Sequence, residues 1–182
     1  MGEVMSGWLR QLMPNEYVNS IYHIDLDRLW ENGIRLVLSD LDNTLVAWND
    51  PVIPQHLADW FAEVQNRGFE ICLISNNKGD RVEQFAARSG LRAIAAARKP
   101  RPEAFHKAMK LFARTPAETV MVGDQLFTDV KGGNAAGIYT VLVLPIHPKE
   151  WWGTTMVRRL EKLAMRRLVK RGLVVPDRDE RG

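Results

Sequence analysis

The chain has only one cysteine in 182 residues, Cys72. It sits inside the apolar run FEICLIS (69–75) and reads as a small core hydrophobe. A single thiol excludes an internal disulfide framework and fits a reducing compartment. Long apolar runs are missing as well. No stretch reaches the roughly 18 apolar residues of a membrane-spanning helix, and the N-terminus lacks the apolar core of a secretory signal, so a cytoplasmic protein is expected. The histidines, His23, His56, His106 and His147, are scattered without metal-ligand spacing. No GxGxxG follows an apolar run, which removes a dinucleotide site; Gly132, Gly133 and Gly137 read as packing and helix-ending residues. Repeats and low-complexity tracts are absent.

What is present is ordinary in bulk and uneven in charge. Hydrophobic residues make up 46% and charged residues 26%, with a net charge of +3, as in a soluble globular domain. Residues 149–171 carry eight Lys/Arg and two Glu, so the basic character belongs to one C-terminal segment while the body is mildly acidic. The length suits one domain with terminal additions. We expect an extension at 1–30 packing on or beside the core, a core at 31–148, and a basic helix and tail at 149–182. Trp8, Leu9, Leu12 and Met13 give the extension one apolar helical face, read as packing on the domain.

Short aliphatic runs alternate with amphipathic stretches. RLVLSD (35–40), FEICLIS (69–75), AIAAA (93–97), TVMVGD (119–124) and YTVLVLP (139–145) read as five strands. Helices are expected after Pro54 to Arg67, over 79–89, 103–113 and 128–136, with Gly68, Gly90 and Gly137 as terminators. Inward positions are Leu57, Trp60, Phe61, Val64, Val82, Phe85, Ala86, Phe105, Met109 and Phe112. This alternation predicts an α/β fold: a Rossmann-like three-layer sandwich around a five-stranded parallel sheet. Ligands of such sheets lie beyond the carboxyl ends of the strands. That rule selects Asp40 and Asp42, then Ser75 and Asn76, then Lys99, then Asp124 and Asp129.

Carboxylates meeting at one edge stay ionised only if a cation offsets them. Hard oxygen ligands favour Mg²⁺, and a lysine supplies positive charge for an anionic substrate. Ser75 and the N–H groups after it can hold phosphate oxygens near a helix start. The set describes phosphoryl transfer. In DLD, Asp40 can then attack phosphorus while Asp42 protonates the leaving oxygen and later activates water. Asn76 and Asn77 are read either as phosphate contacts through backbone N–H groups or as caps of the next helix. Arg98 and Arg101 are read as exposed loop residues. Trp48 either lines the entrance or packs under its loop. Thr44 is read as positioning the turn.

DLDNTL, the strand-end Ser75, Lys99 before Pro100, and GDQLFTD resemble, in order, the four motifs of the haloacid dehalogenase-like (HAD) phosphohydrolase superfamily. The resemblance implies Asp40 as nucleophile, Asp42 as acid–base, Ser75 and Lys99 as phosphate binders, and Asp124 as Mg²⁺ ligand. Asp40 and the backbone carbonyl of Asp42 complete the implied metal set, with Asp129 supporting the metal or Lys99. Asp42 argues for phosphate esters over carbon–halogen substrates. Residues 12–152 further resemble the YqeG-like group of subclass IIIA HAD phosphatases, a group related to phosphatidylglycerophosphate phosphatases. That likeness implies an anionic phospholipid headgroup as the partner of the site.

Too few residues separate the motifs for a cap domain, so the site is expected to be open to a bulky substrate. In the C-terminal segment Arg158, Lys162, Arg166 and Lys170 share one helical face, Val157, Leu160, Ala164 and Leu168 another, and Trp151 and Trp152 stand at its start. Two readings stay open: a peripheral membrane contact, or a helix docked on the core with a solvated basic face. Nucleic-acid binding has the charge but no motif. The competing functions are a capless phosphatase for a protein, a nucleic-acid end or a soluble metabolite, and a non-catalytic adaptor.

Overall fold

The computed structural model describes residues 7–47, 52–147 and 155–177, with the side chains of 155–158 left aside. Trp48, Trp151 and Trp152 lie outside the described residues, as does the side chain of Val157. In chain order the elements are α1 (Gly7–Arg10), β1 (Glu16–Val18), α2 (Leu26–Glu31), β2 (Leu36–Ser39), α3 (Gln55–Asn66), β3 (Glu70–Ile74), α4 (Asp80–Ser89), β4 (Arg92–Ile94), α5 (Glu103–Leu111), β5 (Thr119–Gly123), a π-helical turn (Leu126–Val130) running into α6 (Lys131–Ala135), β6 (Tyr139–Val143) and α7 (Thr155–Lys170).

The sheet is parallel throughout, in the order β1-β6-β5-β2-β3-β4. It has six strands where the apolar pattern predicts five. The sixth is β1, three residues in the N-terminal segment that pair with Val141–Val143. EYV is too short for an alternating pattern to show, and its partly buried residues reflect an edge position.

Successive side chains on a strand point to opposite faces, and the aliphatic runs divide accordingly. Val37, Ile71, Leu73, Val120 and Val122 join one core with Leu57, Trp60, Phe61 and Val64 of α3 and Val82, Phe85 and Ala86 of α4. Leu36, Leu38, Cys72, Ile74 and Met121 join a second core with Phe105, Ala108 and Met109 of α5. Phe112, expected inward, is partly buried against this second core. Burial pushes the Cys72 thiol up to about 12, which keeps it protonated as a core residue.

The connections decide where a ligand can bind. From β2 the chain moves outward through α3 to β3 and through α4 to β4, both helices on one face. It then returns through α5 on the other face to β5, on the opposite side of β2. The direction of winding therefore reverses between β2 and β5, and the crevice at such a reversal is where open α/β sheets take their ligands. Among the described residues no cap lies over this edge.

A third core joins the termini to the sheet: Leu9, Leu12, Leu126, Val130, Leu142, Ala164, Leu168 and Leu173. Helix α7 is docked on the core through Ala164 and Leu168. Leu160, expected on the same face, is 51% exposed, and so is Leu163 at 43%. The inward stripe is rotated because Glu161, not Leu160, turns toward the core, where its carboxylate accepts a hydrogen bond from the Leu126 N–H at 3.1 Å. Trp8, expected to pack with Leu9 and Leu12, is half-exposed, with the Arg167 guanidinium above its ring.

Leu168 is wholly buried in this third core. Replacing it by alanine is expected to cost about 2–4 kcal/mol, and the melting temperature should fall accordingly, with α7 exchanging its amides faster than the central strands.

Candidate active site

Register places the chemistry. Ser39 is level with Leu73 on one side and Val122 on the other. The next residue, Asp40, donates its N–H to the Val122 carbonyl at 2.9 Å, so its side chain leaves the sheet at the winding reversal. Beyond it the chain folds into a tight turn. The Leu45 N–H donates to the Leu41 carbonyl at 3.0 Å and the Asn43 N–H to the Val46 carbonyl at 2.7 Å. Asn43 takes a left-handed φ of 63°, a conformation asparagine tolerates better than most side chains. The turn separates the two acids. Asp40 points inward and is buried, while Asp42 points to the rim, partly exposed.

Lys99 stands opposite. Its buried Nζ donates to Asp40 Oδ1 and to Asp129 Oδ1, both at 2.6 Å. The Asn76 side chain sets this lysine: its amide donates to the Lys99 carbonyl at 3.0 Å and its Oδ1 accepts from the Lys99 N–H at 2.6 Å. Asn76 thus stitches the loop after β3 to the loop bearing Lys99. Neither Asn76 nor Asn77 caps α4, whose N-cap is Gly79. Ser75 is buried at the end of β3, its Oγ accepting from the Asn77 N–H at 3.1 Å, which leaves the hydroxyl hydrogen free to point at a ligand.

From β5 come Asp124 and, one turn later, Asp129. Asp129 Oδ2 accepts from the Gln125 N–H at 3.1 Å. Its carboxylate reaches Lys99 only because Gly123 has no side chain; a Cβ there would collide with it. Thr44 Oγ1 donates to Asp124 Oδ1 at 3.2 Å, while the buried Oδ2 of Asp124 has no hydrogen-bond partner. Asp40, Asp124 and Asp129 each offer an oxygen within 4.8 Å of the others.

Three carboxylates against one ammonium leave a net −2 if all are ionised. Burial above all, with the charges of Asp129 and Asp42 adding and Lys99 opposing, pushes Asp40 up to about 7. Burial and the neighbouring Asp40 and Asp129 hold Asp124 well above the ordinary carboxylate range. Burial disfavours the Lys99 charge, but Asp129 and Asp40 outweigh it and raise the lysine above its usual value. The cluster is therefore short of positive charge, made wholly of hard oxygen donors, and contains an unpaired buried oxygen. These features fit a divalent metal ion.

All the strand-end residues selected from the sequence gather on this one edge of the sheet. Arg98 and Arg101 are exposed. Two contributors escape the sequence reading. Arg81, in the first turn of α4, donates from Nε to Asp42 Oδ1 at 3.0 Å and from Nη2 to the Ala47 carbonyl at 2.7 Å. Glu161 reaches the π-helical turn from α7, and its carboxyl is raised by burial and by Asp129. Neither lies within a strand-end motif, and no spacing connects Arg81 to an acid 39 residues away.

A carboxylate raised on folding binds more protons folded than unfolded, so stability is lost as pH rises between the two values. In chelator the protein should therefore lose stability from about pH 4 to above about pH 7. A divalent cation is expected to stabilise the wild type; Asp124→Asn should flatten the decline, raising the melting temperature at alkaline pH by about 2–5 °C, and should remove that expected gain. Calorimetry across pH, with and without chelator, reads both.

A family model described as "HAD-hyrolase-like" matches residues 96–145. The chain is 36% identical over 160 residues to "Probable phosphatase YqeG" of Bacillus subtilis, covering 88% of this chain and 93% of that protein. It is 30% identical over 178 residues to "Phosphatidylglycerophosphate phosphatase 1, chloroplastic/mitochondrial" of Arabidopsis thaliana, covering 89% of this chain and 49% of the plant protein. A crystal structure of a hypothetical protein from Xanthomonas campestris shares the fold, with a TM-score of 0.54 at 14% identity over 88% of this chain and 81% of that one. Identity of this extent to a phosphatase matched along nearly its whole length makes the chain a member of the HAD-like phosphatases, in the group of YqeG.

Proposed function

We propose that this phosphatase hydrolyses phosphatidylglycerophosphate through an aspartyl-phosphate on Asp40, with Mg²⁺ held by Asp40, Asp124 and the backbone carbonyl of Asp42. The observation that carries the mechanism is the buried set of Asp40, Asp124 and Asp129 around Lys99. Asp40 Oδ attacks phosphorus as the bond to the lipid alkoxide breaks, and Asp42 gives that oxygen a proton. Asp42 then takes a proton from the water that attacks the acyl phosphate, and inorganic phosphate leaves with Asp40 regenerated. Lys99 and Ser75 hold phosphoryl oxygens. Bound Mg²⁺ would supply the positive charge that keeps Asp40 ionised and offsets the phosphoryl oxygens.

The lipid substrate rests on two supports. The plant relative is named for phosphatidylglycerophosphate. The outward face of α7 exposes Arg159, Lys162, Arg166, Arg167 and Lys170 together with Leu160 and Leu163, a pattern suited to an anionic bilayer surface. Glu161 ties that helix to Leu126, two residues beyond Asp124. This reading puts the enzyme in the cytoplasm, peripheral on the inner face of a membrane. Among the described residues no helix is long and apolar enough to cross one.

Asp40→Asn should abolish turnover while keeping the fold, read by circular dichroism and melting temperature. Phosphatidylglycerophosphate in mixed micelles should release phosphate with Mg²⁺ and not with EDTA. A panel containing a phosphopeptide, a 3′-phosphorylated oligonucleotide and sugar phosphates should run slower; a strong preference for any of these would overturn the lipid substrate.

A further inference from the structure

We propose that Arg81 is a positioning residue for Asp42, holding one oxygen of the acid–base so that the other carries the proton to and from the reacting oxygen. The inference rests on the acid–base role of Asp42 proposed above and assigns a residue that lies outside every strand-end motif.

The argument is geometric. Asp42 sits on the turn after β2, its side chain about one-fifth exposed, and nothing in the Lys99 cluster bonds it. An aspartate there has two rotatable bonds and water around it, and a proton donor displaced by an ångström loses much of its effect. Arg81 restricts that freedom from two directions. Its Nε holds Asp42 Oδ1 at 3.0 Å, and its Nη2 holds the Ala47 carbonyl at 2.7 Å. The planar guanidinium thus braces the acid against the loop that follows it, a two-point contact that a lysine cannot reproduce. The brace has a firm base. Arg81 precedes Val82, and Val82, Phe85 and Ala86 anchor α4 in the core beneath β2 and β3. With Oδ1 committed to Arg81, proton transfer falls to Oδ2, and the arginine sets where Oδ2 points.

Leaving-group chemistry separates this role from a merely structural one. An alkoxide leaves phosphorus only with a proton, whereas 4-nitrophenolate leaves as a stable anion. The value of kcat/KM reports phosphoenzyme formation, the step in which the leaving group departs. In Arg81→Gln, kcat/KM for the alkyl ester that wild type hydrolyses fastest should fall by roughly ten- to a hundredfold. For 4-nitrophenyl phosphate the fall should be no more than about threefold, because no proton is needed. The ratio of the two is independent of how much of the sample is folded. Arg81→Lys should recover part of the ratio, and Arg81→Gln added to Asp42→Asn should change it no further. Equal losses for both esters, or an additive loss in the double variant, would overturn the proposal while leaving the phosphatase reading intact. An Asp42→Asn enzyme with the wild-type ratio would overturn the acid–base role of Asp42 itself, and the role of Arg81 with it.

Discussion

The ammonium of Lys99, buried between Asp40 and Asp129, holds this edge of the sheet together. A lysine taken out of water alone is costly, and removing one partner of a buried ion pair costs more than the pair gains. Several features of the sequence exist to make this one contact possible. Asn76 grips both backbone groups of Lys99. Gly123 vacates the space through which Asp129 reaches it. The Gln125 N–H takes the second oxygen of Asp129. The ammonium also fixes one oxygen of Asp40, the acid proposed as nucleophile, through its 2.6 Å hydrogen bond to Oδ1. Its single charge cannot balance three acids, and that shortfall is what makes the cluster receptive to a divalent ion.

The fold delivers these groups through its winding. Reversal between β2 and β5 places the ends of two adjacent strands where no connection crosses above them, and both ends carry aspartates. The face on which each crossover helix lies then decides what else reaches the edge. Helix α4, on the side of α3, brings Arg81 to Asp42. The π-helical turn after β5 carries Asp129 back over Gly123, and α7 leans on that turn through Glu161. Rim and base of the site thus come from different layers of the sandwich, and this is why Asp40 and Asp42, two residues apart, meet opposite environments: one dry and short of positive charge, the other wet and paired with arginine.

Much of this was legible in the sequence. Aliphatic runs ending in acids mark the strand ends, and in a doubly wound sheet those ends are where ligands bind. The cores of α3 and α4 follow from helical spacing, and the convergence of Asp40, Asp124, Asp129 and Lys99 follows from the strand ends that carry them. Three things were hidden for physical reasons. Strand β1 is too short and too near the sheet edge for periodicity to reveal it. Helix α7 turns Glu161 rather than Leu160 inward, where its carboxylate accepts a part-buried hydrogen bond from Leu126, and periodicity counts apolar residues, not hydrogen bonds. Arg81 contacts Asp42 only through the packing of α4, and a tertiary ion pair leaves no local pattern.

The double hydrogen bond from Asn76 has a consequence for the ageing of the molecule. Its amide is the donor to the Lys99 carbonyl and its oxygen the acceptor from the Lys99 N–H. Spontaneous deamidation to aspartate would preserve the acceptor and turn the donor into a second acceptor, set against a carbonyl oxygen that it can only repel. The new negative charge would arise one residue from Ser75 and beside an edge already crowded with acids. A protein stored long enough to deamidate there would lose the register between the loop after β3 and the loop bearing Lys99 before it lost its fold, and would show a one-dalton gain in mass as its signature.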